Sequence, residues 1–311
     1  MTRHRIHVAQ GRAERVDRLL AASIAGVSRR GIQQMLSQRL VRIDGRAARK
    51  GEMIYGERIL EVEVLAPLAA AIVAEAEPAV PLLVEDPSWV ALDKPARRPS
   101  HALRASDRGT IANFIAARFP ECISVGDSPL EAGLVHRLDT GTSGVIVAAR
   151  SRETWLALRR QFREGTIEKR YFAVVSGALA GPGVIDRPIA PHPRSRRKVQ
   201  VLGEGDRNPG ARTAITRYSP LAARRGMTLL EVEIPTGRMH QIRAHLAAIG
   251  HPVIGDVVYG EQAIAEGRHL LHAARLGFDH PRDSRRVIVE SPPPADFVRA
   301  LRRLGLRLPS D

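Results

Sequence analysis

The sequence predicts an α+β protein, with a small N-terminal helix–hairpin module followed by a large domain of mixed strands and flanking helices. Near the N-terminus, apolar residues at helical spacing precede a short alternating segment with an Asp-Gly turn. A stretch rich in Ala and Pro separates this module from the rest of the chain. Beyond this stretch, apolar runs typical of strands alternate along the chain with short apolar stripes typical of helices. This pattern indicates a second and larger core.

The N-terminal module is predicted at residues 14–66, behind a basic leader at residues 1–13 that we expect to be mobile. Ser28 is a suitable N-cap for a second helix, and Asp44-Gly45 predicts a hairpin turn. The apolar stripes consist of Val16, Leu19, Leu20 and Ile24 in the first helix and of Ile32, Met35, Leu36 and Leu40 in the second.

Residues 67–81 are predicted to form a semi-rigid linker, because they are rich in Ala and Pro and show no clear period. The large domain then occupies residues 82–311. Its strand signals lie at 82–84, 89–92, 145–149, 166–175 and 230–234. Its helical stripes lie at 110–119, between the cap Ser151 and the stop signal Gly165, and after Gly237.

The charge balance indicates a polyanionic partner. The chain has 48 Lys and Arg against 33 Asp and Glu, a formal net charge of +15. Such an excess favours RNA or DNA over a small acidic metabolite. No apolar run approaches the roughly 20 residues of a membrane helix, and the first residues lack the apolar core of a secretory signal. We therefore expect a cytoplasmic protein that does not contact a membrane.

The sequence gives no reason to expect a metal or an organic cofactor. Cys122 is the only cysteine, which excludes an internal disulfide and a Cys-rich metal site. The chain has no Walker loop, no HExxH metal motif and no GxSxG elbow. We therefore expect the protein to bind neither a metal ion nor an organic cofactor.

One polar loop, at residues 133–144, is the strongest candidate for a catalytic site. It places His136, Arg137 and Asp139 next to the buried strand predicted at 145–149. An exposed loop with an ordinary Arg–Asp pair is the alternative. The position of these charges against core-like sequence favours a functional loop, because an unpaired charge is costly there.

The order His-Arg-Leu-Asp and then Thr-Ser-Gly in this loop resembles the signature of the RluA-type pseudouridine synthases, which isomerise uridine in RNA. Three further segments resemble motifs of that family in the same order, over roughly residues 82–295. They are Lys94-Pro95, Lys169-Arg170-Tyr171 and the segment from Gly237 to Arg243. The resemblance implies the pseudouridine synthase fold, with a large, mainly antiparallel β-sheet, and a reaction without cofactors.

The resemblance also implies roles for individual residues. Asp139 would either attack ribose C1′ or stabilise the sugar and transfer a proton, and Arg243 would pair with it, we expect in bidentate fashion. Tyr171 would position the target base and, second, accept a proton. Arg137 would fill the stack left by the extruded base or form a salt bridge within the loop. Further predicted RNA contacts are Lys94, His136, Lys169, Arg238, His240 and Gln241.

The N-terminal module resembles the S-four-like RNA-binding domain, in which Arg29 and Arg30 would contact RNA. The combination resembles bacterial large-subunit ribosomal RNA enzymes, so 23S ribosomal RNA is the predicted substrate of a monomeric enzyme. A tRNA-directed synthase of the same family and a non-catalytic ribosome-assembly factor remain alternatives. The Arg-rich stretch at 181–213 is either an RNA-facing loop or a solvated hairpin.

Overall fold

The structure is a computed structural model that describes residues 2–8, 13–24, 29–64, 72–195, 197–260 and 264–308. Within these ranges, the side chains of residues 2, 3, 29, 30, 34 and 64 are outside the description. No helix in the described ranges is long and apolar enough to cross a membrane.

The N-terminal module contains two helices, a four-stranded antiparallel sheet and a small separate strand pair. The helices are α1 (Val16–Ser23) and α2 (Arg29–Ser37), and the strands are β1 (Thr2–Val8), β2 (Glu14–Arg15), β3 (Val41–Ile43), β4 (Arg46–Ala47), β5 (Met53–Ile54) and β6 (Arg58–Val64). The sheet order is β1-β6-β3-β4, and β2 pairs with β5. Buried residues of both helices and of β3, β5 and β6 share one core. The candidate cap Ser28 lies outside the described residues.

The prediction of a mobile leader is wrong for residues 2–8, which form β1 along the whole of β6. Ile6 and Val8 pack against the module core, whereas Arg5 and His7 between and beside them are exposed. This alternation is the period of a strand with one buried face. The sequence does not reveal this alternation, because the surrounding basic residues make the segment polar overall.

The predicted linker is not a free spacer where it is described, at residues 72–81. Ile72 and Val80 are each 3% exposed and belong to a core cluster of the large domain. The side chain of Asn113 donates a hydrogen bond to the carbonyl of Val73 at 2.8 Å. Residues 72–81 therefore pack on the large domain, because Ile72 and Val80 are part of its core and Asn113 binds the Val73 backbone.

The large domain is built on a nine-stranded sheet. Its strands are β7 (Leu82–Glu85), β8 (Trp89–Lys94), β9 (Ser143–Ala149), β10 (Glu168–Ser176), β11 (Gly183–Asp186), β14 (Ile215–Arg224), β15 (Met227–Glu233), β16 (Leu271–Asp279) and β17 (Arg286–Glu290). Eight strands follow the order β11-β14-β15-β10-β16-β9-β8-β7, and β17 pairs with β16. Among the strand pairs of this sheet that the structure describes, only β16 and β9 run parallel. The predicted mixed, mainly antiparallel sheet is confirmed.

Four helices flank the sheet, and a separate hairpin lies beside it. The helices are α3 (Ile111–Arg118), α4 (Arg152–Glu164), α5 (Gln241–Ala248) and α6 (Ala295–Leu304), with a 3-10 helix at Pro120–Ser124; the hairpin consists of β12 (Ile189–Pro191) and β13 (Val199–Val201). As predicted, Ser151 caps α4 by accepting a hydrogen bond from the Thr154 amide, and Gly165 ends it in the left-handed conformation.

The alternation of strand side chains decides which helix each face of the sheet contacts. Val90 and Leu92 of β8 pack with α3 on one face, whereas Trp89 and Ala91 pack with α4 on the other. The face of β10 that carries Ile167, Lys169, Tyr171 and Ala173 extends from the α4 core to the α5 core. Lys169 and Tyr171 therefore project into the space between α4 and α5, where the cavity described below lies.

Gly144 is required where β9 and β16 approach each other. Its φ is +114°, and a Cβ atom added there would lie 2.1 Å from the Ala273 carbonyl oxygen. Only glycine avoids both the strained backbone and this collision. The position couples the polar loop at 133–144 to β16.

We expect Gly144→Ala to lower the free energy of unfolding by about 3 kcal/mol, because it overpacks a rigid backbone contact and strains φ. The matched control is Gly181→Ala, where nothing lies within 4 Å of the added Cβ and φ is not in the left-handed region. Urea unfolding of both variants measures the difference. Equal midpoints for the two variants would contradict the close approach of β9 and β16.

Candidate active site

One large cavity lies between α4 and α5 and contains the polar loop. Its volume is about 1540 Å³. Its walls come from residues 136–142, the outer face of α4, β10 and the segment 234–243. Asp139, Tyr171 and Arg243, the three residues predicted to be catalytic, all line it. The fold thus brings three separate sequence segments to one opening.

Arg243 holds two carboxylates, and the two contacts differ. Its Nε and Nη2 atoms donate to both carboxylate oxygens of Asp256, at 2.6 and 2.7 Å. Its Nη1 atom donates to Oδ2 of Asp139 at 2.8 Å. The expected bidentate pairing of Arg243 with Asp139 is therefore wrong, because the guanidinium fork is occupied by Asp256. The Asp139–Arg243 pairing itself is present.

The exposure of the two carboxylates separates their roles. The Asp256 side chain is 0% exposed, whereas that of Asp139 is 19% exposed and opens to the cavity. In the described part of the chain, no group donates a hydrogen bond to Oδ1 of Asp139. Nε2 of His240 lies 3.8 Å from this oxygen, and burial lowers the pKa of the imidazole. Oδ1 is thus the carboxylate oxygen that a substrate can reach.

The opposite charges of Arg243 and Asp256 keep both side chains ionised although both are buried. Burial alone would lower the pKa of Arg243, but the hydrogen bonds and charges of Asp256 and Asp139 outweigh it and raise the pKa above its usual value. Burial would raise the pKa of Asp256, but the hydrogen bonds and charge of Arg243 hold this pKa below its usual value. A guanidinium and a carboxylate are therefore both charged at neutral pH in the wall of the cavity.

Tyr171 forms part of the cavity floor. It is 9% exposed, and the pairing of β10 with β16 shifts register between Arg170 and Tyr171, an irregularity that re-aims side chains. Burial and the charge of Asp139 raise the pKa of Tyr171 well above its usual value. The phenol is thus protonated at neutral pH, and its flat ring is the better suited feature for contact with a base.

Lys94 is buried beneath the polar loop and binds its backbone. Its Nζ atom donates to the carbonyls of Pro95, Thr140 and Thr142, at 2.9, 3.2 and 2.7 Å. Burial lowers its pKa to about 7, although the charge of Asp139 acts in the opposite direction. The side chain is 0% exposed. The predicted RNA contact of Lys94 is therefore wrong, since no phosphate can reach it.

Arg268 holds the same loop from the other side. Its Nη1 atom donates to the carbonyls of Gly141, His269 and Leu271 at 3.2–3.3 Å, and Asp296 of α6 pairs with the rest of the guanidinium. His269 also contacts the Thr142 hydroxyl through Nε2, at 2.8 Å. Two buried cations thus bind consecutive loop carbonyls just after Asp139 and fix its backbone.

Three other predicted RNA contacts are used mainly inside the protein. His136 accepts a hydrogen bond from the Val147 amide at 3.1 Å and stacks on Phe162, and burial first, then the charges of Lys169 and Arg159, lower its pKa to about 3. Gln241 is 2% exposed and accepts hydrogen bonds from the Thr236 hydroxyl and the Arg238 amide. Lys169 is 5% exposed and donates to the carbonyls of Pro235 and Thr236. These residues shape the cavity wall.

The remaining predicted contacts face the cavity more directly. Arg137 is exposed and has no hydrogen bond or ion pair within the described ranges, so the alternative of a salt bridge in the loop has no partner there. Arg238 is exposed at the cavity and donates to the Thr213 carbonyl. His240 precedes α5 with φ +54° and contacts the Tyr259 hydroxyl at 3.1 Å. The side chains of Arg29 and Arg30, at the start of α2, lie outside the described residues.

Sequence reasoning missed Asp256, Arg268 and His269. The sequence around these residues shows no partner for any of them. Asp256 lies 13 residues from Arg243, whereas Arg268 and His269 each lie 127 residues from their partner in the polar loop. The one available signal was Asp256 itself, an acidic residue that follows a segment with Gly and Pro in a strongly basic chain. Among the described residues, no group of three or more His, Cys, Asp or Glu could hold a metal ion.

An open carboxylate, a buried phenol and unpaired arginines around one cavity define an enzyme that acts on a polyanionic substrate. A family model described as RNA pseudouridylate synthase matches residues 88–248. The chain therefore belongs to the RNA pseudouridine synthases, isomerases that convert uridine in RNA to pseudouridine.

Similar proteins cover nearly the whole chain. An uncharacterized RNA pseudouridine synthase of Chloroflexus aurantiacus is 37% identical over 94% of this chain and 90% of its own length. The ribosomal large subunit pseudouridine synthase D of Nitrosomonas europaea is 33% identical over 93% of this chain and 84% of its own. The structure of human RNA pseudouridylate synthase domain containing 4 is 25% identical, with a TM-score of 0.59 over 74% of this chain and 95% of that one.

We expect Asp256→Asn to destabilise the fold far more than Asp139→Asn. The first change leaves the buried Arg243 fork facing an amide, which costs about 3 kcal/mol. The second change leaves the Arg243–Asp256 pair intact, and both variants remove one negative charge. Urea unfolding midpoints compare them. If Asp139→Asn proves the more destabilising variant, Asp256 is not the structural partner of Arg243.

Proposed function

We propose that this enzyme isomerises specific uridines of 23S ribosomal RNA, with Asp139 as the catalytic carboxylate. The observation that carries the proposal is the open Oδ1 atom of Asp139, held by Arg243 in the same cavity as Tyr171. A ribosomal RNA substrate also implies a cytoplasmic enzyme.

The reaction requires a group that acts at ribose C1′. The bond from C1′ to N1 of uracil breaks, a bond from C1′ to C5 forms, C5 loses its proton and N1 gains one. A carboxylate serves this exchange either by bonding to C1′ for a time or by stabilising the electron-poor sugar and transferring the proton. In both cases the Arg243 contact to Oδ2 orients the carboxylate, so that Oδ1 faces the substrate.

Tyr171 and Arg137 suit the handling of the base. The base must leave the RNA stack to reach Asp139, which costs a few kcal/mol and less in a loop or bulge. The protonated phenol of Tyr171 offers a flat surface for the extruded uracil. Arg137 is two positions from Asp139, exposed and unpaired within the described ranges, and its planar guanidinium can occupy the vacated stack.

Two observations support ribosomal RNA as the substrate. Several similar proteins are named ribosomal large subunit pseudouridine synthase D. The N-terminal module has a core of its own, separate from the core clusters of the large domain, and is suited to hold RNA at a distance from the target uridine. A module of this kind is of more use on a large RNA than on a compact one.

We expect Asp139→Asn to lower the rate of tritium release from C5-labelled uridine in ribosomal RNA by at least roughly 100-fold. The variant should stay folded, because Asp256 still neutralises Arg243. Circular dichroism confirms the fold, and the wild-type enzyme is the reference. Equal rates for two folded proteins would refute Asp139 as the catalytic group.

Deletion of residues 1–66 tests the substrate. The remaining chain keeps residues 72–81, which pack on the large domain, so that domain should remain folded. We expect a Michaelis constant about tenfold higher on 23S ribosomal RNA, as lost contacts of 1.4 kcal/mol would give. An unchanged constant would favour the alternative, a compact tRNA-type substrate, which a parallel assay on tRNA detects.

A further inference from the structure

The cavity is larger than one nucleoside requires. Sites for small ligands occupy roughly 300–1,000 Å³, whereas this cavity measures about 1540 Å³. Part of the cavity wall is α4, whose residues 153, 155, 156, 157, 159, 160, 162, 163 and 164 line it. The cavity is therefore a groove that leads from the catalytic carboxylate to one helix.

The two faces of α4 differ in their contacts with the rest of the protein. Trp155, Leu158 and Phe162 pack toward the sheet. Arg152 and Arg159 are committed to the fold, because both guanidinium groups lie over the Trp155 ring, and Arg159 also donates to the Val135 carbonyl at 3.1 Å. Arg159 also lines the cavity, but its guanidinium already has these partners inside the protein.

The opposite face of α4 carries groups that lack such partners. Arg160 and Arg163 are exposed and make no hydrogen bond, ion pair or ring contact within the described ranges. They are three residues apart, so they lie on the same side of the helix. Leu156 lies one turn before Arg160 and is 52% exposed, which is unusual for a large apolar side chain in a cavity wall. We call Leu156, Arg160 and Arg163 the α4 face.

We propose that the α4 face binds the RNA backbone next to the extruded uridine; the inference rests on the proposed function and extends it. Arg160 and Arg163 contact neighbouring phosphodiesters, and Leu156 packs against the ribose or base between them. The ligand is unpaired RNA, since a strand that delivers one nucleotide into the cavity must leave its helix there. Glu153 and Glu164, which also line the groove, limit the attraction to the stretch between them.

Continuity with the active site favours RNA over an acidic protein as the occupant. The α4 face shares one cavity with Asp139 and Arg137, so a strand placed at Asp139 passes directly over it. The net charge of +15 of the whole chain favours the approach of a polyanion over that of a protein surface without acidic patches or net charge. A protein in the same groove would block the substrate.

The test compares two double variants that remove the same charge. Arg160→Ala/Arg163→Ala alters the α4 face. Arg299→Ala/Arg302→Ala alters two exposed arginines at the same three-residue spacing on α6, outside the cavity. Binding of oligouridylates of increasing length is measured against salt concentration. The Michaelis constant for ribosomal RNA is measured by tritium release.

For the α4 variant we expect about tenfold weaker binding of long oligouridylates near physiological salt. The slope of log affinity against log salt should fall by about 1.4, because each phosphate contact with a single strand contributes about 0.7. Binding of a uridine trinucleotide, which fills only the catalytic end, should change much less. The α6 control should behave as the wild type in every assay.

Equal slopes for the two double variants would overturn the inference, as would an equal loss for short and long oligouridylates. Failure of the proposed function has a different signature, because the wild-type enzyme would then release no tritium from 23S ribosomal RNA. The binding comparison remains decisive in that case, since it does not depend on turnover.

Discussion

The active site depends on one buried guanidinium that two carboxylates share. A buried charge is tolerated only when it is paired and hydrogen-bonded. Asp256 satisfies this need by accepting both arms of the Arg243 fork. Asp139 can then use a single oxygen for the pair and leave the other to the cavity. A bidentate pair of Arg243 with Asp139 alone would have engaged both oxygens of Asp139 and left neither to the cavity.

The other basic residues also divide into those that support the structure and those that remain available to RNA. Lys94 and Arg268 are both buried, and each donates to three backbone carbonyls and secures the loop after Asp139. Where Arg is exposed and without a partner, as at Arg137, it is free to contact RNA. Whether a partner inside the fold is within reach, rather than the residue type, separates the basic residues that support the structure from those that remain available to RNA.

The strand periods and helix caps of the large domain could be predicted because they are local. Ser151 and Gly165 limit α4 as expected, and the alternation in β10 placed Lys169 and Tyr171 on the face that meets the cavity. The N-terminal strand β1 was missed, since two apolar residues among basic neighbours give too weak a period. The composition of residues 67–81 predicts a linker, whereas the described part, residues 72–81, packs on the large domain through contacts that the sequence does not reveal.

The amino-acid sequence alone determined the α+β class and the family, since these follow from contiguous motifs and short periods, and it predicted which loop is reactive. It also indicated that Asp139, Tyr171 and Arg243 act together, through the resemblance of three separate segments. The tertiary structure decided which acid occupies the Arg243 fork, that Lys94 supports the loop rather than RNA, and which arginines remain unpaired. Exposure and partner choice depend on residues as distant as Asp139 and Arg243, which are 104 positions apart, and only the folded chain brings such residues into contact.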